Sequence, residues 1–185
     1  MMKLFLTAAC FAFLLSCNNN KTEDKTAAAG SDSTKDGKTP PQSEFADQKY
    51  TDIGIKAMHQ FEGGDMDAWM TNYADNAVYV WSSGDSLAGK AAIAEYWKNR
   101  RLKVIDSLSM TNDIWLPIKV NQPQKGPDMA GIWLLGWYQV NVKYKNGQKL
   151  NFWVHTDYHF NNEDKIDRLV MYIDRAPINA AVSKK

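Results

Sequence analysis

All seven Trp and all eight Tyr of the 185-residue chain lie beyond Phe45, and this break fixes where a core can form. Upstream, from Asn18 to about Ser43, the chain is built from Asn, Lys, Thr, Ala, Gly, Ser, Asp and Gln, with Pro40-Pro41 near the end. Such a segment cannot bury enough apolar surface to offset its ordering entropy and reads as a flexible tether. Beyond it remain roughly 135 to 140 residues, enough for one well-formed core and too few for two.

The first residues have a different character. Lys3 precedes an apolar run, Leu4 to Leu15, too short to span a bilayer comfortably, and small Ser16 precedes Cys17. This segment resembles a bacterial lipoprotein signal cut immediately before Cys17. The resemblance implies that Cys10 leaves with the signal and Cys17 carries acyl chains, so that disulfides and thiol catalysis drop out together; the alternatives are an ordinary signal peptide cut elsewhere or an uncleaved anchor. Acyl chains contribute about 0.8 kcal/mol per buried methylene and hold a protein on a membrane without a spanning helix. Glu23-Asp24 beside Lys21 faintly resembles a surface-export signal, but such charge clusters are mostly solvated linker. The expected organisation is a signal over 1–16, a tether over 17–46, a folded domain over 47–179 and a tail over 180–185. The expected location is the cell envelope, at the outer membrane or cell surface.

A formal net charge of +1, with acids and bases intermixed, gives no basic face for nucleic acid. In the folded part, Tyr50, Ile53, Ala57, Met58 and Phe61 recur at helical spacing and Gly63-Gly64 ends the run. Asp65 can cap a second helix carrying Met66, Trp69, Met70 and Tyr73. Ala77 to Trp81 reads as a short strand, and Ala88 to Arg100 as a third helix turning Ala92, Ile93, Tyr96 and Trp97 inward. Arg100-Arg101 read as its solvated end, where cations suit the dipole. The period then changes to strands: Val104 to Val120, Gly131 to Tyr144, Leu150 to Phe160 and Lys165 to Asp174, with Asn146-Gly147 marking a hairpin. Helices first and consecutive strands afterwards predict an α+β fold, a curved antiparallel sheet folded over three N-terminal helices.

This order of elements resembles the nuclear transport factor 2 superfamily, and within it SnoaL-like domains and ketosteroid isomerases. The segments that carry the likeness are Tyr73 to Trp81, Gly89-Lys90-Ala91-Ala92-Ile93, and Phe160-Asn161 to Lys165-Ile166. The resemblance implies a cone enclosing an apolar pocket. At the position implied for the isomerase's catalytic Asp stands Trp81, whose indole nitrogen only donates, and at that of its oxyanion-binding acid stands Thr156. By the same strand phase Val154 and Tyr158 face the pocket with Thr156, joined by Leu169, Met171 and Ile173 from the last strand and Trp97 from the third helix. That profile suits a small hydrophobic molecule better than catalysis.

The opposite phase is chemically richer. His155, Asp157 and His159 share one side of their strand, and if that side is inner, His155 with Asp157 or Asp174 forms a base and its orienting carboxylate. Three successive same-face positions span too far to converge on one ion, so no metal is expected. A two-residue loop at Asn146-Gly147 sets Tyr138 beside His155, whereas a three-residue loop with a bulge sets Trp137 there. No cofactor pattern is present, neither a phosphate cradle, a nucleophile elbow nor a cysteine-histidine zinc site. Three functions stay open: a lipid-anchored homodimer binding a small apolar or aromatic ligand, an isomerase, hydrolase or cyclase, and an interaction module using the Trp-rich strand.

Overall fold

A computed structural model describes residues 39–124 and 129–184; Cys17, the signal segment and most of the tether lie outside them. The chain enters with a short strand, β1 (Ser43–Phe45). Apolar residues at helical spacing then form α1 (Lys49–Gly63), which buries Tyr50, Gly54, Ala57, Met58 and Phe61. Gly64 ends it at φ 81°, a left-handed conformation that strains any residue with a Cβ, and its N–H returns to the Phe61 carbonyl. Asp65 caps α2 (Met66–Met70) by accepting from the Ala68 N–H. Next come β2 (Tyr73–Trp81), β3 (Ser86–Ala88) and α3 (Lys90–Asn99). α3 does not stop at the paired arginines: it widens into a π-helical turn, Arg100–Val104. Long strands follow, β4 (Ile105–Val120), β5 (Gly131–Tyr144), β6 (Lys149–Phe160) and β7 (Ile166–Tyr172), and α4 (Arg175–Ser183) closes the described chain.

The seven strands form one sheet in the order β1-β4-β5-β6-β7-β2-β3. Every pairing is antiparallel except β2 with β7, which is parallel. The sheet is therefore mixed, and the purely antiparallel expectation needs this correction. A parallel pair requires a long crossover, and everything between β2 and β7 serves as one. Bulges in β4, the larger one around Asn112 at φ 56°, bend the sheet over the helices. α1 sits close against it because Gly54 and Gly136 leave room for the Trp115 ring and Leu134; a Cβ at either glycine would overlap them.

The β5–β6 hairpin settles the strand phase. Tyr144 and Gln148 close a three-residue loop in which Gly147 takes φ 86°, so like parity pairs with like and Trp137 faces His155 across the ladder. Leu134, Tyr138, Val140 and Val142 consequently share the inner face with Val154, Thr156 and Tyr158. Thr156 and Tyr158 pair in turn with Met171 and Leu169 of β7. Two apolar clusters fill this concave side, one around Phe61, Trp69, Tyr79 and Leu169, the other around Met58, Tyr138, Val142 and Ile178.

Among the described residues no helix is long and apolar enough to cross a membrane. α4 follows the last expected strand, which ends at Asp174, and runs into the expected tail over 180–185. Its anchors are Ile178 and Ala181, both buried, and Asn146 donates from the hairpin to the Ala181 and Lys184 carbonyls at 2.9 and 2.6 Å.

Candidate functional site

Where the two apolar clusters meet, the packing leaves a cavity of about 100 Å³. That is below the roughly 150 Å³ that holds a benzene ring in a rigid core. Met58, Met110 and Met171 are on its wall, and their unbranched thioethers adjust to an occupant more readily than branched side chains do.

Of the residues expected at the pocket, Trp97, Val154, Tyr158, Leu169, Met171 and Ile173 line the cavity. Thr156 is fully buried on the same inner face but does not line it. Trp81 is displaced from its expected place. It is buried among Tyr79, Tyr96 and Trp97, and its outer side is covered by the Arg175 guanidinium 4.9 Å from the ring centroid. Arg175 is held there by Asp85 at 2.6 Å. On β2 it is Tyr79, one inward position earlier, that reaches the cavity.

Tyr79, Tyr138 and Tyr144 on the wall were not singled out from the sequence, nor were Arg100 and Ile178. Tyr138 could have been found from the hairpin, since the three-residue loop puts it opposite Val154. Arg100 stands seven residues after Ile93 and three after Trp97, on the same helical stripe. Its neighbour Arg101 points elsewhere, donating to the Phe61 and Glu62 carbonyls at 3.0 and 2.6 Å and so closing the C-terminus of α1. Neither arginine is a simple solvated helix end.

The polar content of the inner face is a group of hydroxyls. Thr156 Oγ1 lies beside the Tyr138 and Tyr158 hydroxyls without a well-formed hydrogen bond, and the Tyr73 hydroxyl nearby has no partner either. Tyr79 donates to Met171 Sδ at 3.1 Å. Burial pushes the phenols of Tyr73, Tyr79 and Tyr138 well above their usual range and raises that of Tyr158. They stay neutral donors, suited to a carbonyl or hydroxyl oxygen in a dry pocket. Neither a carboxylate nor an imidazole is among the lining side chains, so the wall offers no group that readily takes a proton.

Of the three residues expected as a catalytic set, His155 and Asp157 come within 2.9 Å of each other, away from the cavity, while Asp174 stands apart. His155 and Asp157 lie on the outer face, and Asp174 is exposed at the start of α4, where it accepts from the Ala176 N–H. The reason is the strand phase: odd positions of β6 point away from the helices. His155 is stacked between Trp137, at 4.4 Å and 13°, and Tyr172, at 5.2 Å and 24°. Its Nδ1 donates to the Gly136 carbonyl at 3.0 Å, leaving Nε2 2.9 Å from Asp157 Oδ1 but off the line of an N–H bond. Burial raises the Asp157 carboxyl above the ordinary aspartate range despite the opposing attraction of His155. His159, also outward, is 2.5 Å from Asp167 and donates to the Ala130 carbonyl at 3.1 Å, which ties β6 to β7 and to the start of β5. Among the described residues no group of three His, Cys, Asp or Glu could hold a metal ion.

No family model matches the sequence, and no curated protein matches it. Solved structures do resemble the fold. A candidate polyketide cyclase from Xanthomonas campestris pv. campestris superposes with a TM-score of 0.58 at 18% identity, covering 74% of this chain and 98% of that one. An LEH-like epoxide hydrolase from M. tuberculosis gives 0.53 at 12% identity over 73% and 90% of the two chains. A protein of ketosteroid isomerase-like fold from Catenulispora acidiphila, in complex with trimethylamine, gives 0.51 at 12% identity over 72% and 93%. At these identities the likeness speaks for architecture alone: the curved mixed sheet wrapped over its helices is the cone fold of the nuclear transport factor 2-like and ketosteroid isomerase-like proteins.

Proposed function

We propose that the domain is a binding module that holds a small apolar or aromatic molecule in its cone. The observation that carries this reading is the cavity at the junction of the two clusters, with apolar walls, neutral phenols and no acid or imidazole. Phenol donors in such a place orient a ligand oxygen, while the apolar wall supplies the affinity. The Leu4–Leu15 run and Cys17 support an acylated anchor that keeps the module at the cell envelope. The outer face supports a homodimer: Ile114, Trp153 and Tyr172 are 59%, 53% and 42% exposed on it, an aromatic surface that a second copy would cover.

Thermal-shift measurements on the purified full chain in detergent, with cyclohexanone and cyclohexane as probes, test the binding reading. A rise in Tm with cyclohexanone that shrinks in Tyr138→Phe is expected. No shift with either compound would end it.

A second reading is catalysis, supported by the cyclase and epoxide hydrolase among the similar folds. Here the phenols would polarise a carbonyl or epoxide oxygen, and the substrate or water would have to supply the base. Turnover of a ketone or epoxide probe that disappears in Tyr138→Phe and Tyr158→Phe would favour it over simple binding.

A further inference from the structure

Among the side chains that line the cavity, Arg100 alone carries a formal charge. No described carboxylate lies within ion-pair distance of it, whereas Arg175, Lys49, Lys98, Lys119 and Lys143 each have an acidic partner. What lies beside Arg100 is the Tyr144 hydroxyl, on the last residue of β5. The Tyr144 side chain is buried, and Ile105, Val142 and Ile178 join it on the wall. The position is built into the chain. The stripe of Ile93 and Trp97 continues into Arg100, and the π-helical turn that begins there carries the helix on, leaving Arg100 half-buried at the cavity. A half-buried guanidinium whose side-chain neighbour is a single hydroxyl keeps N–H donors that an arriving anion can take.

We propose that the ligand of this cavity is an apolar monocarboxylate whose carboxylate pairs with Arg100 and whose hydrocarbon part lies among Trp97, Met110, Leu169 and Met171. The inference rests on the reading above that the cone holds a small apolar molecule, and it adds the chemical class. A guanidinium presents two parallel N–H donors that match the two carboxylate oxygens. Tyr144 can accept from Arg100 and still donate its own proton to the same carboxylate. The deep end, near Tyr138 and Tyr158, then receives the tail, and their hydroxyls select a tail bearing an oxygen over a plain one. The modest volume favours a short chain or a single ring over a long acyl chain.

Calorimetric titration of the full chain with hexanoate and with hexan-1-ol tests the class, because the two differ only in the head. Hexanoate is expected to bind about tenfold to a hundredfold more tightly. Arg100→Gln should lose most of that preference while keeping its affinity for hexan-1-ol, which also shows that the variant is folded. Arg100→Lys should retain part of the preference, and Tyr144→Phe should weaken hexanoate binding by a few-fold. Equal affinities for acid and alcohol would overturn the carboxylate assignment and leave the binding reading standing. A preference for hexanoate that survives in both Arg100→Gln and Tyr144→Phe would likewise overturn it. Binding of neither compound would remove both.

Discussion

Strand β6 presents two different chemistries on its two sides. Inward it sets Val154, Thr156 and Tyr158 against the helices; outward it sets His155, Asp157 and His159 among Trp137, Trp133 and Tyr172. The residue types usually associated with catalysis are all on the outward side, and the cavity is on the other. The lesson concerns how ionisable groups are accommodated. An imidazole stacked between two rings and hydrogen-bonded to a carbonyl is held in place by its surroundings, so the clustering of His and Asp on one strand also has a structural explanation. The inner face lacks such groups, keeps the partnerless Tyr73 and Thr156 hydroxyls, and borders a guanidinium whose side-chain neighbour is the Tyr144 hydroxyl; this unfinished hydrogen bonding is what the binding proposal rests on.

Substitutions can break or sharpen this contrast. The largest effect is expected at Leu134, fully buried at the centre of the inner face: Leu134→Ala should lose about 2–5 kcal/mol in chemical denaturation. Its outward counterpart, Trp153→Thr, should change stability by less than about 1 kcal/mol when measured dilute enough to keep the chain monomeric. Equal losses would erase the distinction between the faces. Arg101→Ala removes two charge-assisted hydrogen bonds from the end of α1 and should destabilise by about 2 kcal/mol. Because Arg101 does not line the cavity, the variant should bind probes as before.

Thr156→Val is a finer test. A buried hydroxyl without a good partner is worse than a methyl group, so the variant should be neutral or gain up to about 1 kcal/mol; a clear loss would show that Tyr138 and Tyr158 bond it well. The smallest effect, and the one that depends on sign, concerns Asp157→Asn. The folded carboxyl titrates above the ordinary value of 3.8, chiefly because it is buried. The folded chain thus holds a proton that the unfolded chain has released, and wild-type stability falls as pH rises from about 3.8 through the raised folded value. The asparagine variant should lack this fall and be relatively more stable at pH 7 than at pH 4. Denaturation at the two pH values reads the sign directly, and a variant relatively weaker at pH 7 would show that His155 outweighs burial.

Much of this architecture was legible because single residues dictate it. Gly64 and Asp65 mark the α1–α2 corner, and β5 runs from Gly131 to Tyr144 as its branched and aromatic residues imply. β1 and β3 were missed because three residues carry no period; each is recognised only by backbone pairing, with β4 and β2 respectively. α4 was hidden by Pro177, which a helix tolerates in its first turn, and by its sparse apolar anchors. The site was legible in its wall and less so in its polar groups. Trp97, Val154, Tyr158, Leu169, Met171 and Ile173 follow from alternation and helical spacing. Trp81 failed because alternation gives a side and not a depth, so both Tyr79 and Trp81 point inward and only Tyr79 reaches the space. Arg100 failed for another reason: a cation at a helix end has an electrostatic explanation already, which concealed its place on the inward stripe.

The parallel pairing of β2 with β7 has a consequence for how the molecule is made. In the sheet order, β2 and β3 touch the remaining strands only through β7, so the early part of the chain waits for nearly the last strand to be synthesised before its edge is joined. Such sequence-distant closure slows folding and leaves a nascent chain open until its last strand is in place. A version ending at Lys165 should accordingly stay protease-sensitive throughout, whereas the complete chain should acquire resistance in one late step.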